Sequence, residues 1–172
     1  MPLATETIDI DDEIERLDEK RQAKAEEQAE YPPSSNAAQQ LAAEGQQADR
    51  YRSGLLWLRE HYDIDELTLS ALTNGERRRV SDTDDANPYA RADIYVSAGS
   101  YDAPWVEHDP EAVSQDEFEE TIQNVLDLDP ALVDWMNQRI GSIDTVGGET
   151  GKSYATLVLE SRIHAASPTN NG

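Results

Sequence analysis

The stretch from Ile94 to Ile143 holds two of the three tryptophans and the only phenylalanine, set among residues that start and stop helices. Ser114-Gln115-Asp116-Glu117 fits a capping box, in which the serine side chain and the glutamate side chain each satisfy the other residue's backbone N–H. Phe118, Ile122, Val125 and Leu126 form the apolar stripe expected behind it. Asp129-Pro130 opens another helix, with Asp at the cap and Pro at the first helical position. The core face of that helix is Leu132, Met136, Ile140 and Ile143. Val133 and Trp135 flank it on opposite edges, because 100° per residue sets them about 160° apart. This punctuation commits the region to helices.

Other elements follow from the same rules. Leu41, Ala48, Tyr51, Leu55, Leu58 and Tyr62 recur at helical spacing, which predicts a helix from Asn36 to Tyr62 with a break at Gly45 or Gly54 as an option. Trp57 sits beside this stripe and reads as core. The closing GLLWLREHY reads as a docking helix. Leu67 and Leu69 alternate as in a strand, within a short and ambiguous run from Asp63 to Leu72. Thr73 to Glu76 is a second capping box. Tyr89, Ala92 and Val96 share a helical face that ends at Gly99, and Ser100–Pro104 is a loop returning Trp105 and Val106 to the core. The fold class expected is mainly α: a small helical domain over residues 36–146, a charged N-terminal helical arm and a flexible C-terminal tail.

Residues 1–35 form that acidic arm. Ile8, Ile10, Ile14 and Leu17 give it only a narrow apolar edge, too little for a stable helix alone, and Pro32-Pro33 ends it. Residues 147–172 comprise a glycine linker at Gly147-Gly148, a short apolar segment at 154–163 that periodicity leaves as strand or helix, and a loose end.

Charge sets the environment. The formal charge is -22, with eleven arginines, three lysines and 36 acidic residues. Such a balance suits either disorder or a folded protein in concentrated salt, where the Debye length falls to about 3 Å. Regular apolar spacing and the aromatic content favour the folded reading, and the scarcity of lysine resembles haloarchaeal proteins and those of their viruses. Direct binding to nucleic acid or an anionic membrane is not expected, because counterion release needs clustered cations. Arg77-Arg78-Arg79 is the only dense basic run, and acids follow it at once. Cysteine is absent. There is no span of membrane length and no recognisable signal peptide, so a soluble protein, intracellular when made, is expected.

No catalytic constellation stands out, and the expectation is not an enzyme, with no cofactor and no metal. Gly151-Lys152-Ser153 lacks the first glycine and the preceding strand of a phosphate-binding loop. His61, His108 and His164 have no metal-ligand spacing. The residues with a functional claim are Trp105, Trp135 and Val133, as core residues first and as anchors for a protein partner second.

The order ELTLSALTNGERRRVSD, IYVSAGSYDAPWVEHDPEAVS and LDLDPALVDWMNQRIGSI, over residues of about 64–144, resembles the tail assembly chaperones of tailed viruses. The resemblance implies a small, mainly helical protein that binds the long helical tape-measure protein while tail tube subunits assemble around it. It implies action in the host cytoplasm, with oligomers possible. The other class compatible with acidic helices is a structural virion subunit, such as a connector, tail or capsid-associated protein.

If screening of the acid excess holds the fold together, far-UV helicity should fall when molar salt is diluted to tens of millimolar. Circular dichroism across that range checks this, and an unchanged melting temperature would remove the high-salt reading.

Overall fold

The computed structural model describes residues 4–82, 88–100, 102–107 and 114–146. It is mainly helical. The described elements run β1 (Thr5–Asp9), α1 (Ile10–Ala29), α2 (Asn36–Tyr62), β2 (Glu66–Ser70), α3 (Asn74–Asp82), α4 (Pro88–Gly99), α5 (Gln115–Leu126) and α6 (Pro130–Val146). The glycine linker, the 154–163 segment, Lys152, His108 and His164 lie outside the described residues.

The caps form as their sequences require. Ser114 and Glu117 make both bonds of the capping box. Thr73 and Glu76 do the same: the Thr73 N–H donates to Glu76 Oε2 at 2.6 Å, and the Glu76 N–H donates to Thr73 Oγ1 at 3.2 Å. Asp129 Oδ1 accepts from the Ala131 N–H at 2.9 Å to start α6. Asp63 ends α2 in the left-handed region at φ 49°, a conformation Asp tolerates better than most residues. α2 is continuous through Gly45 and Gly54, so neither glycine breaks it.

The first thirty residues hold the charged helix expected of the arm, α1, together with a strand that was not expected. Thr5 to Asp9 pairs antiparallel with β2, placing Ile8 opposite Leu67 and Thr7 opposite Thr68, whose hydroxyls meet at 2.9 Å. Asp9 caps α1 by accepting from the Asp12 N–H. α1 then buries Ile10, Glu13 and Leu17 on one face and packs along α2. Ile8, Ile10 and Leu17 belong to the same contiguous core as Leu55, Leu69 and Met136. β1 and α1 therefore share one packed core with α2, β2 and α6, across the boundary expected at residue 35.

Beyond Leu17 the α1–α2 seam changes character. No residue of α1 after Leu17 is buried, and ion pairs take over. Arg21 reaches Asp49 at 2.9 Å, Lys24 reaches Glu44 at 2.8 Å, and Arg52 reaches Asp18 at 3.4 Å. Ala38 and Leu41 are buried there, outside the contiguous core.

α6 is the hub. Leu132, Met136, Ile140 and Ile143 are buried as the stripe predicted, and it packs on α2, α4 and β2. Its approach to α2 requires Gly54: a Cβ there would lie 2.5 Å from the Leu132 backbone nitrogen. At Gly99 a Cβ would collide with the Ile140 side chain, so α4 also meets α6 through a glycine. The α5 stripe is partly corrected. Phe118 and Val125 are buried, but Leu126 is exposed and Thr121 takes a place on the buried face.

Gly54 and Gly45 therefore predict opposite signs within one helix. Gly54→Ala should destabilise the protein by roughly 1–3 kcal/mol, since backbone blocks the added methyl. Gly45→Ala meets only Lys24 Cβ at 3.5 Å, an ordinary contact, and should stabilise by about 1 kcal/mol through helix propensity. Urea melts of the two variants check the pair.

Candidate partner-binding surface

The three residues with a functional claim lie in the core, which is the first reading of Trp105 and Trp135. Trp135 is 2% exposed, and Val133 and Trp105 are also buried. The Trp105 indole N–H donates to Ser100 Oγ at 3.2 Å, and its backbone carbonyl accepts from Asn124 Nδ2 at 3.0 Å. Val133 and Trp135 lie on opposite edges of α6, as the geometry required, but elements cover both edges. Trp105, Trp135 and Val133 all belong to the core, and their burial leaves little surface for a partner.

What stands open instead is the last two turns of α2. Leu55-Leu56-Trp57-Leu58 is an unbroken apolar run on a helix, and its four side chains sweep about 300°. They cannot all face inward. Leu55 and Leu58 are fully buried, Leu56 is 40% exposed, and Trp57 is half-buried against the core. Trp57 stacks on the exposed His61 with ring centroids 4.3 Å apart and planes 20° from parallel. Tyr62 meets Trp57 edge-on at 6.0 Å and buried Trp105 edge-on at 5.8 Å. The outer aromatics thus rest on a core tryptophan, a rigid footing for a contact surface.

Exposed Leu126, at 54%, closes α5 two residues beyond Asn124, which is tied to the Trp105 carbonyl. Burial raises the Tyr62 hydroxyl pKa, and the neighbouring Asp127 carboxylate adds to the effect. The flanking side chains are acidic: Glu60, Asp63, Asp65, Glu66 and Asp127 are all exposed. Arg59 is engaged, pairing with Asp11 and, at 3.8 Å, with Asp65. The sequence marked this helix end as a docking helix, and the four-residue apolar run could have singled out its open side.

Among the described residues no group of three or more His, Asp or Glu side chains comes together to hold a metal ion. No described helix is long and apolar enough to cross a membrane. Compared with protein-family models, curated proteins and solved structures, the chain matches none.

Trp135 has a structural partner in Glu13, a carboxylate only 5% exposed. Its indole N–H donates to Glu13 Oε1 at 3.2 Å. Arg16 clamps the same carboxylate, donating to Oε1 at 2.6 Å and Oε2 at 2.8 Å. Burial pushes the Glu13 pKa up, but hydrogen bonds from Arg16 and Trp135 outweigh it and hold the carboxyl below its usual range. A depressed folded-state pKa contributes stability above the unfolded value, and that contribution is lost as pH falls through the folded value. Glu13→Gln should therefore cost about 1–3 kcal/mol at neutral pH. The gap from wild type should close as pH drops below the ordinary carboxylate range. Chemical denaturation of both proteins at neutral and strongly acidic pH measures it.

Proposed function

We propose that this protein is an assembly chaperone of the tailed-virus tail type, holding the helical tape-measure protein soluble while tube subunits assemble. The observation that carries the reading is the open face of α2, where exposed Leu56 adjoins Trp57, and the rings of Trp57 and His61 meet Tyr62, which rests on buried Trp105. Such a face takes the apolar side of a helix, with a few aromatic anchors supplying most of the energy. The resemblance of residues 64–144 to tail assembly chaperones is what suggests the tape-measure protein as the partner. The acidic surface suits assembly in a high-salt cytoplasm, where the chaperone stays soluble while its client is apolar.

Co-expression with the tape-measure protein tests this. Wild type should co-purify with it and keep it soluble. Leu56→Asp combined with Trp57→Ala should weaken capture at least tenfold, about 1.4 kcal/mol or more, with helicity retained. If the double variant captures the client as wild type does, the assignment of this face fails. Recovery at fixed stoichiometry in purified particles would replace the chaperone with a structural subunit.

A further inference from the structure

We infer that the segment recognised at the end of α2 is a basic amphipathic helix, with Lys or Arg bordering its apolar stripe. The inference rests on the proposed function only in taking the α2 face as the binding site. The apolar part of that face is small, so polar groups at its border decide what can settle there.

Those groups are mainly acidic, and the cations among them are already paired. Glu60 lies on the exposed side of α2, one residue before His61, and Asp63, Asp65 and Glu66 follow in the turn into β2. Asp127 approaches the Tyr62 hydroxyl from α5. The C-terminal end of α2 adds the negative pole of its helix dipole. Two arginines lie one turn either side of Leu56: Arg59 is held between Asp11 and Asp65, and Arg52 pairs with Asp18 at 3.4 Å. His61 has one ring face against Trp57.

An acidic helix laid on Leu56 and Trp57 would bring like charges against this border, which costs affinity and excludes it. A neutral helix would leave the border without counter-charges. A helix with Lys or Arg flanking its apolar stripe places cations against Glu60 and Asp65 and at the dipole end. In molar salt the Debye length is about 3 Å, so only charges in direct contact still discriminate. The selection must therefore come from this local border and not from the overall charge of the chain.

The test uses the full chain, in salt that keeps it folded, and three labelled 18-residue peptides. One is an amphipathic Leu/Lys helix, one is the same with Glu for Lys, and one is a scramble of the Leu/Lys peptide that cannot present an apolar face. The Leu/Lys helix should bind at least tenfold tighter than the other two. Glu60→Lys with Asp65→Lys, both at exposed positions, should cut that binding at least tenfold and raise binding of the Leu/Glu helix. Leu56→Ser should weaken binding of the Leu/Lys helix. Equal binding of basic and acidic helices, equal binding of the scramble, or indifference to the charge reversal would each overturn the inference. The tape-measure capture assay separates this from the function. Capture that depends on Leu56 and Trp57 but ignores the charge reversal sinks the inference alone. Peptide selectivity without tape-measure capture sinks the function alone.

Discussion

The hydrogen bond from the Trp135 indole to the Glu13 carboxylate joins the first helix to the last, across 122 positions of sequence. A buried carboxylate is costly unless paired, and a buried indole N–H is costly unless it donates. Each group settles the other's demand, and Arg16 supplies the counter-charge from the solvent side. The arrangement fixes the rotation of α1 about its axis, which in turn sets Ile10 and Leu17 into the core. It also leaves Asp11 free to reach Arg59 and Glu6 to reach Arg139. A narrow apolar edge can thus hold a helix, provided one polar residue on that edge has a committed partner.

The same economy of apolar contact shapes the rest of the surface. Arg21, Lys24, Arg50, Arg52, Arg59 and Arg139 each bind a carboxylate on a different element, so these six cations work as cross-links. Exposed pairs of this kind contribute little individually in dilute buffer. Their value is directional: each fixes which acids lie between elements and which remain at the surface to be screened.

Local chemistry was readable wherever partner and signal lay within one turn. Ser114 with Glu117, Thr73 with Glu76, and Asp129 with Pro130 located their helices. The alternation of Leu67 and Leu69 marked β2 correctly. β1 was not readable, because Thr5–Asp9 becomes a strand only through partners 61 or so positions away. Glu13 looked like one more solvated acid among eleven in the first thirty residues, since nothing near it in sequence announces Trp135. Leu126 kept the helical spacing of Val125's stripe and still faces out, because Leu128, just past the helix end, fills the core beside it. The open face of α2 was half legible: the docking helix was visible, while the choice between Trp57 and the two other tryptophans as surface residue needed the packing.

The placement of α6 at the hub has a consequence for how the chain is made. Everything that closes the core, from β1 to α4, waits for residues 130–143, which leave the ribosome after most of the protein. Until then α1 can pack on α2 and β1 can pair with β2, but the faces that α2 and β2 turn to α6 stay uncovered. Newly made chains in that waiting state carry the same excess of carboxylates as the finished protein. Mutual repulsion among nascent chains keeps them apart during the interval, so the acid excess already acts before the chain has folded.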